Sequence, residues 1–148
     1  MFKTNNYEEL YFLFCLFLGV QISNAQSDTL LIEKTLQNYM DGSSYNKPEM
    51  LLSTFTKNAT LYLTGRDGFK LYSPEEYVGF FKNAKIGKFN GRVATILATE
   101  VVKDIATAKV EIAGPDRKWI YIDLFLLKKF ENGWKIISKT ATRVDDGK

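Results

Sequence analysis

The chain has 148 residues, of which 45% are hydrophobic and 14% aromatic, with a formal net charge of +3; this is enough chain for one domain with a real core. It contains no histidine and one cysteine, Cys15, which excludes Ser-His-Asp catalysis and a zinc site of the usual ligands and leaves acid–base work to Asp, Glu, Tyr or Lys. Lysine and arginine are scattered rather than gathered into a stripe, so nucleic acid is not expected as a partner; no metal or cofactor is expected either.

Leu10 to Val20 is an apolar run too short to span a bilayer, and Ser23-Asn24-Ala25 supplies the small residues that a signal peptidase reads. Residues 1–25 are therefore expected to be a signal peptide cut before Gln26, with an uncleaved anchor as the alternative. Cys15 lacks the small residues that a lipoprotein site needs before its cysteine, and it leaves with the signal. Residues 26–148 then form a single domain, secreted or periplasmic, with no stable membrane association after cleavage. No disulfide can staple that domain, so its stability must come from the core.

Thr29 to Asp41 reads as a helix, because Ile32, Leu36, Tyr39 and Met40 recur on one stripe and Gly42 terminates the run. A second short helix is expected from Asn46, where Asn46-Lys47-Pro48-Glu49 has the form of a capping box, and it carries Met50, Leu51 and Phe55 inward. Ala59 to Thr64 alternates as a strand, Gly65-Arg66-Asp67-Gly68 is a turn, and Phe69 to Tyr72 returns. Asn58-Ala59-Thr60 matches a glycosylation sequon and is read as incidental. Ser73-Pro74-Glu75-Glu76 caps a third helix that aligns Tyr77, Phe80, Phe81 and Ala84 and ends near Lys85 to Gly87.

From Gly91 the pattern becomes strands. Arg92 to Val102 and Ile105 to Ala113 pair through Lys103-Asp104, and Lys118 to Phe130 pairs with Trp134 to Thr142 around Asn132-Gly133. Asp145 to Lys148 reads as a frayed tail. Helices followed by an antiparallel meander make an α+β fold. A strongly curved, mostly antiparallel sheet packed on N-terminal helices encloses a cone whose mouth is a natural ligand pocket.

This order resembles the nuclear transport factor 2-like, or SnoaL-like, superfamily of cone-shaped barrels, and within it the bacterial putative lumazine-binding family. The resemblance is carried by Ile32 to Gly42, Phe55 to Leu61, Tyr77 to Phe81 and the block from Tyr121 to Lys139, and it extends over essentially all of residues 26–148. It implies the fold and a homodimer through the outer sheet face. It does not choose an activity, since the superfamily holds isomerases, cyclases and dehydratases beside proteins that only bind or scaffold. Relatives in this branch often carry a histidine after the terminal lysine of the motif, where this chain has Lys139 followed by Thr140.

Asp123 is the sharpest candidate, a carboxylate in the apolar middle of its strand. It shares a face with Trp119, Tyr121, Phe125 and Leu127, while Ile120, Ile122, Leu124 and Leu126 share the other; the period of two does not say which face looks inward. A pocket-lining Asp123 is a candidate general base, and a structural carboxylate paired with a lysine is the bland reading. Tyr39 is the second catalytic candidate, matching in position a tyrosine of the steroid-isomerase branch that donates to an oxyanion; a core tyrosine is the plainer reading. That branch also needs a base aspartate in the first strand, and Leu61-Tyr62-Leu63-Thr64 has none. Trp119, Tyr121, Phe80, Phe81 and Trp134 are candidates for a stacking wall around a small apolar or aromatic ligand. Arg66, Arg92 and Arg143 are read as solvated surface, with an anion at the mouth as the alternative. Three functions stay open: a dimer that binds a small ligand without converting it, an isomerase-type enzyme using Asp123 with Tyr39, and a structural accessory protein.

Overall fold

The computed structural model describes residues 26–65, 68–82 and 85–145. The expected signal peptide at 1–25, Arg66 and Asp67 of the expected turn, Ala84, and the last three residues of the tail lie outside that range. Residues 26–44 are helical (α1). They are followed by α2 (Pro48–Ser53), β1 (Phe55–Gly65), β2 (Gly68–Tyr72), α3 (Pro74–Gly79), β3 (Val93–Val102), β4 (Ile105–Ala113), a short 3-10 turn at Pro115–Arg117, β5 (Ile120–Phe130) and β6 (Gly133–Arg143). The six strands form one sheet in the order β2-β1-β6-β5-β4-β3. Neighbours are antiparallel except β1 and β6, which run parallel. The α+β expectation holds, with one correction: the sheet is an open, curved surface and not a closed barrel. Its edges, β2 and β3, do not pair, and helices cover the inner face.

The core explains this arrangement. Ile32, Leu36, Tyr39 and Met40 of α1 meet Leu51 of α2, Tyr77 and Val78 of α3, and the inward residues of β1, β4, β5 and β6. In β4 the inward set is Ala106, Ala108, Val110 and Ile112, all even positions, as a period of two requires. In β5 it is Asp123, Phe125 and Leu127, with Leu124 and Leu126 exposed. Each large apolar side chain so buried is worth roughly 1.5–3 kcal/mol.

Register shifts bend the sheet. In the β5–β6 ladder Leu126 pairs with Ser138 and Leu127 with Ile136, leaving Ile137 as the extra residue. In β3–β4 Ile96 pairs with Val110 and Ala98 with Lys109, leaving Leu97. A third shift lies in β1–β6 between Phe55 and Thr60. An extra residue kinks its strand and raises the local twist, giving the curvature that a flat ladder would lack.

Several local expectations need correction. Asn46 does not cap α2, whose N-cap is Lys47 without a side-chain bond. Asn46 instead adopts φ 51° and, buried, donates to the Lys88 carbonyl at 2.9 Å and accepts from Asn90 Nδ2 at 3.0 Å. Phe55 points inward from β1 and not from a helix. The Ser73 capping box forms with both its bonds, but α3 ends at Gly79, well short of Lys85. Asp145 is not frayed: its Oδ1 accepts from the Ile120 amide at 2.7 Å and from Arg143 Nε at 2.8 Å. These bonds from Arg143 and the Ile120 amide hold the Asp145 carboxyl far below the usual carboxylate range.

The start of α1 is clamped to the sheet through Asp28, whose carboxylate accepts from Lys129 Nζ at 2.6 Å and Trp134 Nε1 at 3.1 Å. The Lys129 bond, first among the causes, lowers the Asp28 pKa. A carboxyl that is more acidic folded than unfolded stabilises the fold above its unfolded pKa. That contribution is lost as pH falls through the folded value. Asp28→Asn is therefore expected to flatten the acid limb of a melting-temperature-versus-pH curve. Parallel curves for variant and wild type between neutral and strongly acidic pH would show that the clamp contributes nothing.

Candidate functional site

The pocket opens between α3, the start of β3 and the inner faces of β1, β5 and β6. Its volume is about 400 Å³, within the ~300–1,000 Å³ range of ligand sites. Aromatic side chains dominate its wall: Tyr72, Tyr77, Phe80, Phe81, Trp119 and Tyr121. Asp123, Lys139 and Arg92 bring the charge.

The polar floor is a connected chain. Asp123 and Lys139 are each 3% exposed, with Lys139 Nζ 3.0 Å from Asp123 Oδ2. The same oxygen accepts from the Tyr39 hydroxyl at 3.0 Å, and the Tyr39 and Tyr77 hydroxyls are 2.7 Å apart. A phenol has one proton. Because Tyr39 gives its proton to the carboxylate, Tyr77 must be the donor to Tyr39. The direction is therefore Tyr77 to Tyr39 to Asp123, with Lys139 arriving from the other side. Tyr39 is fully buried, and desolvation, followed by the Asp123 charge, pushes its pKa well above the usual tyrosine value. It remains a neutral phenol throughout the physiological range.

The elements explain why these groups meet. Tyr39 sits on the stripe of α1 that carries Ile32 and Leu36 into the core. Asp123 shares the inward parity of Phe125 and Leu127. Lys139 does not follow from parity: Trp134 and Ile136 point inward, and strict alternation would send Lys139 outward with Lys135. The extra residue at Ile137 resets the alternation, and Lys139 and Ala141 turn to the pocket. The Lys139 ammonium then lies 5.3 Å from the Tyr77 ring centre and 5.9 Å from that of Phe125, a cation–π setting that supplements its ion pair.

Arg92 is positioned by a strap. The Asn90 amide donates to Ser44 O at 2.9 Å, its side chain to Ser43 O at 2.7 Å, and its Oδ1 accepts from the Arg92 amide at 3.1 Å. The guanidinium carbon then lies 5.3 Å from the Phe81 ring centre and 5.5 Å from that of Trp119. Trp119 in turn lies flat against Gly114, where an added Cβ would come within 2.1 Å of the indole.

Most sequence candidates are brought together. Asp123, Trp119, Tyr121, Phe80 and Phe81 line one cavity. Tyr39 touches Asp123 from behind the wall and does not line it. Trp134 is the misplaced candidate: it is 3% exposed, in the core, with its indole bonded to Asp28. Its place in β6 before the extra residue puts it at the α1 end of the inner face. Of the arginines, Arg143 is engaged by Asp145, and Arg92, read as surface, is in the pocket wall. Lys139 and Tyr77 were missed as site residues. The signal for Tyr77 was its place on the inward stripe of α3; nothing local announces Lys139.

Comparison with known proteins agrees with this architecture. A family model described as putative lumazine-binding matches residues 27–141. No curated protein matches by sequence. Among solved structures, an NTF2-like protein of unknown function from Shewanella baltica is 18% identical with a TM-score of 0.70, covering 81% of this chain and 96% of its own. One from Silicibacter pomeroyi is 16% identical with a TM-score of 0.72, covering 81% and 98%. A ketosteroid isomerase-like protein from Erwinia carotovora atroseptica is 17% identical with a TM-score of 0.61, covering 78% and 95%. At such identities these likenesses speak for the fold alone. With the family match spanning most of its length, the chain belongs to the putative lumazine-binding family and has the nuclear transport factor 2-like fold.

Proposed function

We propose that this protein binds a small, flat, largely apolar molecule in its aromatic pocket and does not convert it. The observation that carries this reading is the committed Tyr39 phenol beneath the pocket. Asp123 Oδ2 already takes two donors, and the single proton of Tyr39 is committed to it. A polariser of a substrate oxygen needs a free proton aimed into the cavity, and Tyr39 has none to offer. The aromatic wall, by contrast, offers stacking faces in a concavity of ligand size. The family description, putative lumazine-binding, supports a small-molecule partner of this kind.

The alternative is an isomerase-type enzyme with Asp123 as base and Tyr39 as polariser. Asp123 at the pocket wall favours it. Tyr39 would have to give up its buried bond to Asp123 before it could polarise a substrate, which stands against it. A structural accessory role is the third reading.

We further propose a secreted or periplasmic homodimer. The expected signal peptide supports the location. The outer sheet face supports the dimer, since it exposes Tyr62, Leu124 and Leu126 in one shallow depression with Thr107 and Thr140, a surface suited to a second copy. Among the described residues no helix is long and apolar enough to cross a membrane.

Native mass spectrometry of protein purified from its own host tests these readings together. The expected species is a dimer beginning at Gln26 with one small-molecule adduct per protomer. Apo protein in every preparation would sink the binding reading and leave the accessory role, while a monomer would sink the dimer alone.

A further inference from the structure

Among the described residues the cations near the pocket differ in one respect. Lys139 is matched by Asp123, and Arg143 at the far end of β6 is matched by Asp145. Arg117 is likewise matched by Glu111. The Arg92 guanidinium has no carboxylate partner and donates no hydrogen bond to any described residue, and its Nε is buried without a partner. It lines the cavity, held against the faces of Phe81 and Trp119.

Three physical facts bear on that guanidinium. It cannot shed its proton, so it cannot escape partial burial by becoming neutral. Aromatic faces attract it but leave its N–H donors unspent. The other two charges in the pocket neutralise each other, so the cavity carries one uncompensated positive charge. A planar fork of donors is the natural receptor for a planar anion such as a carboxylate.

We infer, resting on the binding reading above, that the ligand is a flat aromatic anion: its ring system stacks within the Tyr72, Tyr77, Phe80 and Tyr121 wall while its acidic group pairs with Arg92. Arg92 thereby sets specificity for charge, and the aromatic wall sets it for shape. The Asp123–Lys139 pair is a spectator to this selection.

Two probes of one shape separate the contributions: 2-naphthoate and its neutral isostere 2-naphthamide, titrated calorimetrically into the protein. Wild type is expected to prefer the naphthoate by at least about tenfold, the scale of one charge-assisted, partly desolvated contact. Arg92→Gln is expected to erase the preference by weakening the naphthoate while leaving the naphthamide unchanged. Equal affinity of wild type for both probes would overturn the anion inference and leave the binding reading standing. A preference that survives in Arg92→Gln would overturn the role of Arg92. Failure of both probes to bind would overturn both readings. If Arg92→Gln does not melt cooperatively, Arg92→Lys decides, since a lysine keeps the charge but not the fork. A several-fold smaller preference is then expected, and an undiminished one overturns the proposal.

Discussion

Lys139→Met is expected to lower the stability of the fold by about 3–5 kcal/mol, the cost of leaving one partner of a buried ion pair behind. The reasoning rests on burial and not on the pair's own strength. Both side chains are almost fully excluded from water. Removing the ammonium leaves Asp123 with the Tyr39 bond alone, and an under-satisfied carboxylate in that setting is expensive. The loss should be recovered largely in the double variant Asp123→Asn/Lys139→Met, because the asparagine carbonyl still accepts from Tyr39 and no unpaired charge remains. Urea denaturation of wild type, both single variants and the double variant gives the coupling directly. A Lys139→Met protein within about 1 kcal/mol of wild type, the value of an exposed pair, would show that the pair is hydrated in solution.

Gly114→Ala is the second large effect, and it links stability to the pocket. Gly114 has φ −76°, a conformation open to any residue, so the substitution carries no backbone penalty. The penalty is steric. The new Cβ would lie 2.1 Å from Trp119 Cε2 and 2.5 Å from Nε1, so the indole must move. Overpacking of this kind costs roughly 1–3 kcal/mol. Moving the indole also removes one of the two faces that hold Arg92 and one wall of the pocket, so 2-naphthoate affinity should fall by about tenfold, equivalent to about 1.4 kcal/mol. Trp119→Leu in the same chain separates the two effects. The smaller side chain relieves the clash and should restore the melting temperature, while affinity stays low because the stacking face is gone. If Gly114→Ala binds 2-naphthoate as wild type does, Trp119 is not part of the site.

Much of this molecule follows from local pattern. The stripe on α1 placed Tyr39 in the core, the Ser73 box began α3 where it stands, and alternation sorted the two faces of β5 correctly. These succeed because a helix stripe and a strand face depend on neighbours a few positions away. The failures share a different cause. Asn46 has the composition of a cap, but the loop carrying Asn90 competes for its side chain. Trp134 has the look of a ligand wall, but it lies on the α1 side of the extra residue in β6.

The sequence by itself determined the class of fold, the order of its elements and the presence of a single odd carboxylate on one face of β5. Only the tertiary structure decided what that carboxylate does. Its partner Tyr39 lies 84 positions away. Its partner Lys139 faces it only because one extra residue at Ile137 resets the parity of β6. Arg92 reaches the pocket only because Asn90 ties its strand to the end of α1. Alternation is a property of one strand, whereas a register shift arises between two, so much of the pocket wall could be read from local periodicity and the pairing of its charges could not.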